Sequence, residues 1–162
     1  MNAIITGAMS PYYSVMYSWR AGVAEDVQSD LDVLLAPAMD FAERALNGST
    51  SIHPFGIGLT LDDQLQMLIE DRGTEVIDGS VLVRFAEEML VDTRQTLKSC
   101  ALVLDTRLPL HETDAVEMRL EHSSGVSLTI HAPYRFAGFR KRLTFGDMIV
   151  SPGVARIWTA QV

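Results

Sequence analysis

The stretch from Asp114 to Ala132 constrains the fold of this chain more than any other. Val116, Met118 and Leu120 alternate with polar residues, and after Ser123-Ser124-Gly125 the alternation resumes with Val126, Leu128, Ile130 and Ala132. Alternation with a period of two marks strands that bury one face. A three-residue loop pairs Leu120 with Leu128, Met118 with Ile130 and Val116 with Ala132, which places all six side chains on one face. Gly125 then falls where such a loop needs a left-handed backbone. Turn chemistry and apolar pattern specify the same register, which sets Glu117 opposite His131 on the polar face.

A second hairpin is expected over 54–70. Phe55, Ile57, Leu59 and Leu61 alternate with glycine and threonine, Asp62-Asp63-Gln64 makes the turn, and Leu65–Glu70 returns. Pairing Leu61 with Leu65, Leu59 with Met67 and Ile57 with Ile69 keeps one apolar face. Two helices are expected. In the first, over 26–47, Val27, Leu31, Leu34, Leu35, Ala38, Ala42 and Ala45 form a stripe. Pro37 predicts a kink near Leu34 or a second helix from Pro37, and Asn47-Gly48 supplies a left-handed stop. The second, over 78–99, carries Val81, Phe85, Met89, Thr93 and Leu97, with Asp78 or Ser80 as N-cap. Cys100–Asp105 is an apolar run that predicts a central strand covered on both faces. Further strands are expected over 142–145 and 154–158, separated by a Ser151-Pro152-Gly153 turn.

This order predicts an α+β fold: a mostly antiparallel sheet of about six to seven strands with two main helices packed on one face. Residues 26–162 form a single domain. Residues 1–25 hold Tyr12, Tyr13, Tyr17 and Trp19 without a sustained period. They are either a loosely ordered arm that docks its aromatics or an over-called start, with the true start at Met9 or Met16.

Charge narrows the function classes. The formal charge is −8 and the pI is near 4.8, so the average field repels a phosphate backbone. No run approaches the roughly 18 apolar residues of a membrane span. The first basic residue is Arg20, so a signal peptide's charged n-region is missing. A cytoplasmic protein with no nucleic-acid and no membrane partner is expected. Cys100 is the sole cysteine and sits in an apolar run, so it is expected to be a buried, reduced, structural thiol.

Phosphate-cradling loops, HExxH, GxSxG and paired CxxC are missing, so no cofactor and no metal is expected. The candidate ligand-binding residues are Glu117, Arg119, His131 and Arg135. A His131–Glu117 pair suits acid–base work, or a metal given a third ligand, although opposed polar residues on a strand face ordinarily form a solvated pair. Asp62, Asp63, Glu70 and Asp71 cluster around a turn but lack the spaced ligand series of a calcium loop. Tyr134–Arg142 is the one basic stretch interleaved with aromatics; it suits a connecting loop, a self-association surface or an anionic ligand.

The block Ala101-Leu-Val-Leu-Asp-Thr-Arg107, then Asp114–His122 and Ile130-His-Ala-Pro-Tyr-Arg135, preceded by Phe55-Gly with alternating apolar residues, resembles a group of small bacterial proteins of unknown function. The resemblance covers about 38–160 and implies the same α+β layout, with no reaction attached. The leading expectation is a non-enzymatic accessory protein that self-associates through a sheet edge or its basic C-terminal strands. The alternatives are an enzyme or binder of a small anion, with a pocket between helices and sheet, and an immunity-type inhibitor of a basic partner protein.

Overall fold

The computed structural model describes residues 18–49, 51–68 and 78–159. Helix α1 spans Glu25–Gly48 and α2 spans Gly79–Thr93. Seven strands follow the chain: β1 Phe55–Thr60, β2 Leu65–Leu68, β3 Leu97–Leu108, β4 Thr113–His122, β5 Ser127–Ala137, β6 Arg142–Phe145 and β7 Ile149–Pro152. They form one antiparallel sheet in the order β2-β1-β3-β4-β5-β6, with β7 pairing β5 alongside β6. The α+β class and the antiparallel sheet are therefore as expected from the pattern.

The β4–β5 hairpin adopts the register that its alternation specifies. Leu120 pairs Leu128, Met118 pairs Ile130, Val116 pairs Ala132 and Glu117 pairs His131. Gly125 has φ +103°, a left-handed value that a side chain would resist. The β1–β2 hairpin is shifted by two residues from expectation: Leu59 pairs Leu65 and Ile57 pairs Met67. The cause is Thr60. Its backbone N–H donates to the Gln64 carbonyl (2.8 Å), and its hydroxyl oxygen accepts from the Gln64 N–H (2.9 Å). The turn thus starts one residue earlier, and Asp63 takes the left-handed position at φ +64°. A shift of two preserves the faces, but it leaves Leu61 in the turn and exposed. Ile69 and Glu70, expected to extend the return strand, lie outside the described residues, as do Tyr12, Tyr13 and Tyr17.

The helices do not share a face. Val27, Leu31, Leu34, Ala38, Ala42 and Leu46 of α1 pack with Ile57, Val103, Met118, Leu120 and Ile130. Ala86 and Leu90 of α2 pack with Cys100, Leu102, Leu104 and Leu68 on the opposite face. Both sets of alternate residues in β3 are apolar, so each face of that strand requires a cover. Gly56 and Gly58 make the second cover possible. A side chain at Gly56 would meet Leu90 Cδ2 at 3.1 Å, and one at Gly58 would meet Leu97 Cδ2 at 2.6 Å.

Helix α1 runs unbroken through Pro37. An internal proline costs about 3 kcal/mol. Fully burying one large aliphatic side chain contributes roughly 1.5–3 kcal/mol, so a stripe holding Leu31, Leu34 and Leu46 outweighs it. The helix ends on an extended Ser49, whose N–H reaches the Ala45 carbonyl, and not on a left-handed Asn47 or Gly48. Asp78 caps α2 by accepting from the Ser80 N–H. That helix stops at Thr93, a 3-10 turn covers Arg94–Thr96, and β3 starts at Leu97. Ahead of α1, Trp19 is buried in the core, and Arg20 makes two hydrogen bonds to Asp32 at 2.7 and 2.9 Å.

The expected strand over 154–158 is instead irregular, and β7 lies earlier, across the expected turn. The reason is Glu121. Its carboxylate, 5% exposed, accepts from the backbone N–H groups of Arg156 (2.6 Å), Ile157 (3.0 and 3.2 Å) and Trp158 (3.3 Å). Three successive N–H groups that converge on one anion cannot also serve a ladder. Ile157 is thereby pinned into the α2-side core.

Two outcomes test this packing. Glu121→Ala should lower stability by about 2–3 kcal/mol in chemical denaturation and raise amide exchange at 156–158, since hydrogen bonds to a charge contribute about 1.5–3 kcal/mol. Cys100 is 1% exposed, and burial raises its thiol pKa far above the ordinary range. A thiol reagent should therefore not label the native chain, and should label one site per chain once denaturant is added.

Candidate functional site

Helix α1 packs on one face of the sheet over β1, β3 and β4, with the apolar residues of β5 in the same core, whereas α2 and the Ile157 segment cover only part of the other face. The rest of that second face, on β4 and β5, carries Glu117, Arg119, Thr129 and His131. Alternation dictates this placement, because residues between the core positions Val116, Met118 and Leu120 must point the other way. Glu117 and His131 are direct cross-strand neighbours. His131 Nε2–H donates to Glu117 Oε1 at 2.9 Å, and Arg119 Nε–H donates to Glu117 Oε2 at 2.8 Å. Three of the four candidate residues thus form one network. Arg135 does not join it: it pairs Thr144 on β6, exposed, farther along β5.

The electrostatics of the network follow from these contacts. The hydrogen bond from His131 holds the Glu117 carboxyl below its usual range, aided by Arg119 and opposed by burial. With both oxygens engaged, Glu117 is a fixed anion that orients its two partners. The Arg119 terminal amino groups and the His131 Nδ1 make no hydrogen bond among the described residues. Beside the network is a cleft of about 120 Å³ lined by Glu117, Arg119, Glu121, Thr129, Pro152, Val154 and Arg156. Among the described residues, no group of three or more His, Cys, Asp or Glu side chains is placed to hold a metal ion.

A larger cavity, about 280 Å³, lies where the C-terminal end of α1 approaches α2 near the start of β1. Phe41, Ala45, Phe55, Leu82 and Ala86 give it apolar walls, with His53 and Ser51 at its polar part. None of the candidate residues lines it. Of the acidic cluster, Asp63 pairs with Lys98 and Asp62 accepts from the Thr60 hydroxyl, while Glu70 and Asp71 lie outside the described residues.

Two buried polar residues play parts that local pattern does not announce. Glu121 anchors the C-terminal segment, as above. His122 Nδ1 accepts from the Ser124 N–H at 2.9 Å, so its Nε2–H donates to Asp30 on α1 at 3.0 Å. Ser99 adds a hydrogen bond to the Asp30 carbonyl at 2.6 Å. Both contacts tie α1 to strands about 70 or more residues away in sequence, a separation that no sequence window spans.

The exposed end of the sheet is a second distinctive surface. The β3–β4 turn and the β5–β6 turn lie at the same end, because Asp114 at the start of β4 pairs both Arg107 and Tyr134. Phe139 is fully exposed there, Leu110 is 88% exposed and Phe136 is 37% exposed. Arg135, Arg140, Lys141 and Arg142 are exposed beside them. No family model, no curated protein and no solved structure matches this chain.

The network makes a pH-dependent prediction. A carboxyl whose folded pKa is depressed contributes stability above its unfolded pKa, near 4.3, and loses that contribution as pH falls through the folded pKa. Glu117→Gln should therefore be less stable than the parent by about 1 kcal/mol at neutral pH, with the difference closing in acid, as measured by urea titrations across pH.

Proposed function

We propose that this protein is a non-enzymatic interaction module that self-associates through the basic, aromatic end of its sheet. The observation that carries this reading is Phe139, fully exposed among Arg140, Lys141 and Arg142 in a chain of charge −8. A large exposed aromatic ringed by cations suits a contact whose centre is apolar and whose rim is charged. The reading commits to a second copy because the complementary surface lies on the same chain. The outward stripe of α1 presents Val33 and Ala36, both exposed, between Asp26 on one side and Asp40 and Glu43 on the other. Phe139 of one copy resting on Val33 and Ala36 of the next would bring its arginines to those carboxylates. Such a contact joins two different patches: it closes a two-fold pair where both copies make it reciprocally, and otherwise builds rings or open chains.

The polar network on the second face supports the non-enzymatic part of the reading. Both oxygens of Glu117 are bonded, so its carboxylate is not poised to take a proton.

Sedimentation velocity tests the proposal. The expected result is species heavier than 17.9 kDa at low salt, dissociating at about 1 M salt, where the screening length is about 3 Å. Arg140→Glu with Arg142→Glu should give monomers, as should Asp40→Lys with Glu43→Lys, and mixing the two variants should restore association. A parent chain that sediments as a monomer at low salt, or association indifferent to both charge reversals, overturns the reading.

A further inference from the structure

The cleft between β4, β5 and the Pro152–Arg156 segment has a composition that self-association does not use. Four charged residues line it, and its two carboxylates are already saturated: Glu117 by His131 and Arg119, Glu121 by the three backbone N–H groups of 156–158. Its two guanidinium groups are not saturated. Arg119 uses only Nε, and the Arg156 side chain makes no hydrogen bond or ion pair among the described residues. The Thr129 hydroxyl likewise has no partner among them. Arginine carries five N–H donors in a planar fork that matches oxyanions, so two partly unpaired guanidiniums on one cleft form an acceptor-seeking site.

The fixed carboxylates do more than fail to compete. Glu117 holds the Arg119 Nε, which restricts the rest of that guanidinium. Glu121 fixes the backbone of Arg156, which brings the root of that side chain to the cleft rim. Both cations are therefore partly pre-positioned, which reduces the ordering cost of binding. Pro152 and the exposed Val154 add apolar surface to the lining. The cleft volume, about 120 Å³, matches a group of only a few heavy atoms.

We infer that this cleft binds a small organic anion, with its oxyanion head between Arg119 and Arg156 and its short carbon stem on Pro152 and Val154. Thr129 supplies a third donor to the head. The interaction is reversible and involves no bond making.

NMR titration of the full chain with two separate probes, butyrate and inorganic phosphate, tests this. Both probes should shift the Arg119 and Arg156 Nε–H signals and the Thr129 amide in a saturable way, and butyrate alone should also shift the Val154 methyl groups. Arg156→Gln changes an exposed side chain with no bond among the described residues, so the variant should fold, and it should weaken binding about tenfold or more. Arg119→Gln should do the same. No saturable shift at these three residues with either probe overturns the site. Equal affinity in Arg156→Gln also overturns it, and phosphate binding without any butyrate response at Val154 overturns the assignment of an organic stem.

Discussion

Strand β3 is apolar on both faces, and the rest of the architecture follows from the need to cover both. Val103 and Ala101 face α1, while Cys100, Leu102 and Leu104 face α2. A strand of this kind cannot lie at an edge or face water on one side without exposing a row of large side chains. It therefore takes a central place between β1 and β4, and one helix lies on each face. Gly56 on β1 lets Leu90 of the second helix approach where a side chain would have kept it away, and Gly58 leaves room for Leu97 at the start of β3.

The two covers are unequal, and that inequality creates the polar surfaces. Helix α1 is 24 residues long and packs chiefly on β1, β3 and β4, whereas α2, with 15 residues, packs chiefly on β1, β2 and β3. The second face of β4 and β5 is left to the C-terminal segment and to side chains that tolerate partial hydration. Glu121 secures the segment, and Glu117 ties together Arg119 and His131 beyond it. Each carboxylate, Glu121 buried and Glu117 partly buried, has its oxygens engaged by N–H donors, as an anion removed from water requires. The proposed anion cleft lies at the seam between these two devices.

Legibility in the sequence varied with the range of the deciding interaction. The β4–β5 register was readable because a short loop, a left-handed glycine and two alternating strands all act within twenty residues. The β1–β2 register departs by two positions from the one that apolar alternation specifies, because the Thr60 hydroxyl captures Gln64 and moves the turn, a competition that alternation does not register. The 154–158 stretch alternates like a strand but is held by a carboxylate 35 residues upstream. The Glu117–His131 pair was legible as a consequence of register. The arrival of Arg156 at the same cleft was not, since nothing local links it to β4.

The amino-acid sequence by itself determined the class of fold, the identity of the central strand, the main hairpin and the charge balance, because these depend on periodicity, turn residues and composition. Only the tertiary structure decided which face each helix covers, which polar residues are saturated and which cations remain available. Those outcomes depend on contacts between segments far apart in the chain, such as His122 with Asp30 and Glu121 with Arg156, and on the relative reach of two helices over one sheet.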